Sequence, residues 1–311
     1  MPEQLLEGLV LQCRPLGESD RLITLLSEAE GLVRLAVPGA RRPKSSLGAA
    51  VPLTQVRLQA GGRGGGGLRR VRQLQVLHSH GLLGQRLETL AGAQALLELG
   101  LALVADNQPV PGLLVDLLLH LGRLEAVVRE RCERDEALAI AVQGSVHLLA
   151  LGGYALPLQH CARSGASLIP PVGDWQWRCS LLPAEGLVIG GTAGARVVLN
   201  ASELALLQRL PRPALPRRRD GGLLGPERVW LHLLSLIEAW CGEHLNRRPR
   251  AFRLLRAAFD TAEPAPRPAG SEVGPAGPGA ARSPRPGRDE APATNQAACE
   301  EHPSPMSSPA P

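Results

Sequence analysis

Nine basic side chains, Arg34, Arg41, Arg42, Lys44, Arg57, Arg63, Arg69, Arg70 and Arg72, fall between Gly31 and His80 with no Asp or Glu among them. A guanidinium or ammonium group that neutralises a phosphate releases its condensed counterions, so cations without local carboxylates suit a sugar-phosphate chain. The whole 311-residue chain carries a net charge of only +5, so the placement of charge says more than its total. The centre of the window is Gly39-Ala40-Arg41-Arg42-Pro43-Lys44-Ser45, a basic loop between two strand-like runs. Arg34, Arg41, Arg42, Lys44, Arg57, Arg69, Arg70 and Arg72 are the candidate contacts. Phosphate contacts carry no base identity. No Phe, Tyr or Trp precedes Tyr154, so the aromatic platforms on which bases stack are missing from this part of the chain. The expected behaviour is backbone tracking with little sequence preference on single and double strands. Two strands held on one cationic surface repel each other less, which is a route to annealing.

A second basic run, Arg247, Arg248 and Arg250 continuing through Arg253 and Arg256, has no acid between Glu243 and Asp260. It reads equally as a solvated surface and as a second nucleic-acid contact. Other chemistries find little support. A phosphate-binding P-loop needs a lysine after its glycines, and the only lysine, Lys44, follows Pro43, which excludes Walker-type ATP hydrolysis. Gly62, Gly64 and Gly67 fit a dinucleotide fingerprint only as a bare pattern, because the run joins two strands instead of opening a helix. Ser19, in Gly-Glu-Ser-Asp, lacks the second glycine of a nucleophile elbow. His78 and His80, with no Cys or carboxylate near them in sequence, read as exposed groups at a strand end. No catalytic constellation emerges, and a non-enzymatic binder is expected.

The elements that must position these groups follow from periodicity. From Gly8 to Arg72 short apolar runs alternate with turn residues: Leu9 to Arg14, Leu22 to Ser27, Leu32 to Val37, Thr54 to Ala60 and Leu68 to Leu77. Thr54, Val56, Leu58 and Ala60 alternate with Gln55, Arg57 and Gln59, which puts Arg57 on the face opposite the apolar set. Five short strands in so short a span suit a small closed barrel of the OB type. From about Gly84 the period becomes helical, with stripes over 87–104 and 113–128 and a third helix capped near Asp135 that stops at Gly152-Gly153. Residues 154–200 are rich in proline and irregular, with Trp175 and Trp177 expected to fill a local core. Helical spacing resumes from Ser202 to Leu210 and from Glu227 to about Leu245, and beyond Asp260 a Pro-, Ala-, Gly- and Ser-rich tail is expected to be disordered. The domains are therefore a barrel at 1–80, a helical domain at 81–153 and 201–260 interrupted by an insertion at 154–200, and a tail at 261–311.

Gly17-Glu18-Ser19-Asp20-Arg21 and the loop 39–48, with His244-Leu245-Asn246-Arg247-Arg248-Pro249-Arg250 near the other end, closely resemble the RecO family of bacterial recombination mediators. That resemblance implies an OB-fold barrel followed by a helical domain, annealing of complementary DNA strands coated by single-strand-binding protein, partnership with RecR and with that protein's acidic tail, and help in loading RecA. It also implies a zinc-binding insertion built from two cysteine pairs. Here Cys161 is followed by Ser164 where a second cysteine belongs, and Cys179 has no partner, so no zinc and no other cofactor is expected. The alternative function is an RNA-binding or ribosome-associated barrel protein, since phosphate contacts do not separate DNA from RNA. Six scattered cysteines, the absence of a secretory signal and the absence of a spanning run point to the cytoplasm, at the nucleoid, with no membrane contact.

Overall fold

The computed structural model describes residues 4–63, 68–245 and 249–260. Strands β1 (Gln4–Leu16), β2 (Asp20–Ser27) and β3 (Gly31–Val37) form a meander, and β4 (Thr54–Arg63) and β5 (Arg69–Ser79) form a hairpin. Antiparallel ladders join β1 to β2 and β4, β2 to β3, and β4 to β5. A short parallel pairing of Leu35 and Ala36 with Arg69 and Arg70 closes the ring in the order β1-β2-β3-β5-β4. This is the OB-type barrel that the alternation anticipates. Val10, Ile23, Leu25, Leu35, Val56 and Leu58 are among the side chains that fill it.

Where alternation lapses, a strand is buried on both faces. Leu9 and Leu11 of β1, Leu26 of β2 and Leu32 of β3 turn away from the barrel interior and enter the helical core. Each such burial contributes on the order of 2 kcal/mol. Backbone contacts complete the dock. The Asn107 N–H donates to the Leu32 carbonyl at 2.9 Å, and Asp106 forms a parallel bridge with Leu32. Gly31 has φ +69°, and a Cβ there would stand 2.3 Å from the Gln108 carbonyl oxygen, so the β2–β3 turn can close on this segment only as glycine. The dock therefore delivers Asp106 to the outer face of the barrel.

The helical domain comprises a single 3-10 turn at Gly81–Gln85 and helices α1 (Leu87–Leu103), α2 (Leu113–Arg129), α3 (Arg134–Leu151), α4 (Ala201–Leu207), α5 (Glu227–His244) and α6 (Ala251–Asp260). Helix α3 packs against α1, α2 and α5 and is buried nearly all round. Its N-cap is Glu133, not Asp135, which lies within the first turn, where a carboxylate still complements the helix dipole. Helix α4 opens on a capping box in which Asn200 Oδ1 accepts from the Glu203 N–H and Glu203 Oε2 accepts from the Asn200 N–H, both at 2.9 Å. Phe252, Leu255, Ala258 and Phe259 bury one face of α6, so Arg253 and Arg256 of the second basic run belong to a core helix.

The insertion is not irregular throughout. Strands β6 (Cys179–Leu182), β7 (Gly186–Ile189) and β8 (Val197–Leu199) make an antiparallel sheet in the order β7-β6-β8. The core role expected of both tryptophans is corrected: Trp175 is 85% exposed, and only Trp177 packs partly buried against the main core. Asp174 Oδ1 accepts from the N–H groups of Gln176 at 2.9 Å and Trp177 at 3.2 Å, and this tight turn directs Trp175 outward. The glycine tip 64–67, Arg247, Arg248 and the tail 261–311 lie outside the described residues. Among the described residues no helix is long and apolar enough to cross a membrane.

Candidate nucleic-acid interface

The loop from Pro38 to Pro52 is built as a succession of turns. Arg42 N–H donates to the Gly39 carbonyl at 3.0 Å, Ser45 N–H to Arg42 at 3.2 Å, Gly48 N–H to Ser45 at 3.0 Å and Ala50 N–H to Leu47 at 3.2 Å. Ala40 and Ala50 are buried in the barrel core and Leu47 packs against it, so the loop is anchored from within. From outside it is held by the β1–β2 turn. Asp20 Oδ1 accepts from the Gly39 N–H at 2.8 Å, the Ser19 carbonyl accepts from the Arg41 N–H at 2.9 Å, and Arg21 donates to the Gly48 carbonyl at 2.8 Å. The two sequence motifs at 17–21 and 39–48 are thus one structural unit. The Gly39 N–H, the Ser19 hydroxyl, and the Arg70 and Arg42 charges together hold the Asp20 carboxyl below its ordinary 3.8 despite a small opposing desolvation.

From this scaffold Arg41, Arg42 and Lys44 project into solvent. Arg41 donates to the Gly17 carbonyl at 3.2 Å, and none of the three makes an ion pair among the described residues. Lys44 sits at φ +61°, a left-handed conformation that costs a non-glycine residue about 1–2 kcal/mol. Strain of this kind persists where the surroundings impose it, and here it fixes where the ammonium emerges.

The strand arginines differ, and the premise that all the cations stand unopposed is corrected. Arg57 Nη2 lies 3.0 Å from Glu7, its direct cross-strand partner. Arg69 meets Glu30 at 2.6 Å and donates to Gln4 Oε1 at 2.6 Å. Arg34 meets Asp106 at 3.1 Å, the residue delivered by the interdomain dock. Arg70 reaches Asp20 at the longer distance of 3.8 Å and remains 55% exposed, which joins it to the loop group. Arg72 is exposed on β5. A gap of acids in the sequence is therefore filled in space by Glu7, Glu30 and Asp106, all from outside the 31–80 window. A phosphate approaching Arg34, Arg57 or Arg69 must displace a carboxylate, whereas one approaching Arg41, Arg42 or Lys44 need not.

The sequence of both parts matches known proteins. Residues 1–80 match the family model described as Recombination protein O N terminal, and residues 84–253 match Recombination protein O C terminal. The chain is 62% identical over 258 residues to the DNA repair protein RecO of Synechococcus sp. (strain WH7803), spanning 83% of this chain and 95% of that protein. The chain belongs to the RecO family. It is 60% identical over 258 residues to the RecO of Prochlorococcus marinus (strain MIT 9303), spanning 83% and 96% of the two chains. Identity to the RecO of Synechococcus elongatus is 36% over 259 residues, spanning 80% and 92%.

Beyond the barrel, this RecO-family chain uses much of its basic surface structurally. In the second basic run, Arg250 is exposed, whereas Arg256 pairs with Glu238 at 2.7 Å and donates to Ser235 at 2.8 Å. In the Arg217–Arg219 loop, Arg217 makes a two-point pair with Glu136 at 2.6 and 2.9 Å. His78 is exposed at the strand end as expected, and the reading of His80 is corrected. His80 is 4% exposed, and Glu125 of α2 supplies the missing carboxylate, 3.2 Å from His78 Nε2 and 3.2 Å from His80 Nδ1. Burial lowers the His80 pKa against the pull of Glu125. Nothing in the local sequence announces Glu125, which arrives from a different domain.

The RecO-type zinc module is not matched by the donors present. Cys161 and Cys179 are both buried, and among the described residues no group of three potential ligands includes either. Burial raises the Cys161 pKa, but the Ser164 hydroxyl and the N–H groups of Ile189, Ser164 and Arg163 outweigh it and bring the thiol to about 7. Burial, reinforced by Cys161, pushes Cys179 up to about 11. The Ser164 hydroxyl bonds the Cys161 sulfur, and two sulfurs do not close a tetrahedral site.

Proposed function

We propose that this protein is a non-enzymatic mediator of DNA repair that binds single- and double-stranded DNA through the Arg41–Arg42–Lys44 loop, anneals complementary strands and assists recombinase loading on DNA coated by single-strand-binding protein. The observation that carries this reading is the hydrogen-bonded loop with three exposed cations that make no ion pair among the described residues. A pre-ordered cationic loop binds phosphates without first ordering itself, and it gains counterion release at each contact. Its lack of aromatic side chains favours backbone tracking over base reading. Family membership supports the setting, a DNA-repair role with DNA as the main ligand and with RecR, single-strand-binding protein and RecA as the partners.

A groove of about 420 Å³ between the insertion and the helical domain supports the partner reading. Its two carboxylates, Asp174 and Glu203, are already engaged by backbone N–H groups and, for Glu203, by His232. Trp175, Leu206, Leu224 and Val229 line it, with exposed Arg209 and Arg228 at the edge. An acidic peptide with apolar terminal residues, such as the tail of single-strand-binding protein, complements that chemistry. The test is annealing of complementary oligonucleotides by the full chain, with and without single-strand-binding protein. Acceleration by the parent and its loss in Arg41→Glu/Arg42→Glu/Lys44→Glu, with the far-ultraviolet spectrum retained, is the expected result. Annealing that survives the triple reversal, or a clear preference for matched RNA over DNA, would displace this reading.

A further inference from the structure

We propose that Asp116, His120 and His147 form a binding site for a divalent first-row transition ion that ties α2 to α3. Asp116 and His120 are four residues apart on one face of α2, and His147 faces them from α3. His120 Nε2 lies 3.1 Å from His147 Nδ1, and Asp116 Oδ2 lies 3.7 Å from each. A point equidistant from these three atoms is about 2.0 Å from each, which is the bond length zinc makes to imidazole nitrogen and carboxylate oxygen. An ion can therefore enter without any of the three side chains moving. At that point the three donors surround the ion in one plane, and an ion shifted off the plane to about 2.2 Å from each has them as three corners of a tetrahedron with a further position open. Two imidazoles and one carboxylate is a ligand set used by zinc and by non-haem iron.

The surroundings favour ligation. His147 Nε2 lies 2.8 Å from the Leu210 carbonyl and donates to it, so in the neutral ring the lone pair is on Nδ1, the nitrogen that faces the site. That second hydrogen bond is the usual device for orienting a metal-binding imidazole. His120 is fully buried, and burial with the neighbouring His147 and Arg123 lowers its pKa to about 3, so the ring is neutral as a ligand must be. Gly144 of α3 makes room for it, because a Cβ there would stand 2.9 Å from His120 Cγ. A glycine inside a helix costs about 1 kcal/mol relative to alanine, so the ring's position is maintained at some expense.

The competing account is a simple His120-to-His147 hydrogen bond. That bond satisfies the two nitrogens but leaves Asp116 Oδ2, a buried atom with no hydrogen-bond partner, unsatisfied. Buried oxygens are rarely left so. An ion satisfies that oxygen together with the two facing nitrogens, while His120 Nδ1 is without a hydrogen-bond partner in either account. The other three-residue cluster, His78, His80 and Glu125, is a weaker candidate because Arg129 already stands 3.6 Å from its carboxylate.

The experiment is titration of the chelator-treated full chain with Co(II), followed by visible absorption, and with Zn(II), followed by equilibrium dialysis. One equivalent should bind, with ligand-field bands and no thiolate charge-transfer band. Asp116→Asn and His147→Gln, each checked by circular dichroism, should bind at least about 100-fold more weakly, whereas Cys161→Ser and His78→Gln should bind as the parent does. The parent alone can overturn the proposal by binding no stoichiometric ion. Undiminished affinity in both Asp116→Asn and His147→Gln would also overturn it, as would loss of the ion in Cys161→Ser or His78→Gln.

Discussion

On the strands, Arg34, Arg57 and Arg69 each face a carboxylate delivered by another element, whereas Arg41, Arg42 and Lys44 leave a loop whose neighbouring Asp20 is already occupied by a backbone N–H. The two groups are close in sequence and equal in formal charge. They differ in what a phosphate must displace. Exposed ion pairs contribute about 0–1 kcal/mol to stability, so the strand pairs do little to hold the barrel together. Their larger effect is to neutralise Arg34, Arg57 and Arg69 and leave the loop, with Arg70 beside it, as the cationic end.

Experiments that unbalance this difference should rank as follows. Reversing Arg41, Arg42 and Lys44 to Glu should weaken DNA binding at least about 100-fold at moderate salt. Because no ion pair is lost and only the exposed Arg41-to-Gly17 hydrogen bond is, the unfolding free energy should change by less than about 0.5 kcal/mol. Lys44→Gly should act on the two properties in opposite directions: affinity falls by about fivefold and the salt slope by about 1, while relief of the left-handed strain raises stability by up to about 1 kcal/mol. Unfolding curves and binding isotherms on one preparation would show both. Glu7→Gln combined with Asp106→Asn should release Arg57 and Arg34 and raise DNA affinity by about threefold; an unchanged or lowered affinity would mean that the strand face takes no part even when uncovered. The smallest effect is the titration of Asp20. Its folded pKa lies below 3.8, so its hold on the loop is complete above 3.8 and is lost as pH falls through the lowered value. The Gly39 amide resonance should report that titration, and a midpoint at or above 3.8 would contradict the bond.

Strand alternation and helical stripes announce themselves locally, and the barrel and the first three helices were legible for that reason. Trp175 was misread because an aromatic side chain is expected to be buried, while the Asp174 turn that exposes it follows from backbone geometry. The small sheet of the insertion has strands of three or four residues, too short for a period to register. Helix α6 was hidden behind its cations, although Phe252, Leu255 and Phe259 carry the helical spacing. The basic loop was visible as composition, but its distinction from the strands was not. Glu7 meets Arg57 only through the β1–β4 register, and Asp106 meets Arg34 only because Gly31 lets the helical domain close on the barrel. His120 and His147 sit in leucine-rich helices and attract no notice until α2 and α3 are packed.

The salt dependence of DNA binding tests the central claim most directly, compared between Arg41→Gln/Arg42→Gln/Lys44→Gln and Arg34→Gln/Arg57→Gln/Arg69→Gln. Each phosphate contact contributes about 0.9 to the slope on duplex DNA, so the loop variant should lose about 2 to 3 and the strand variant less than about 1. Equal losses, or a larger loss in the strand variant, would show that the paired arginines bind the phosphates and that the loop is not the interface.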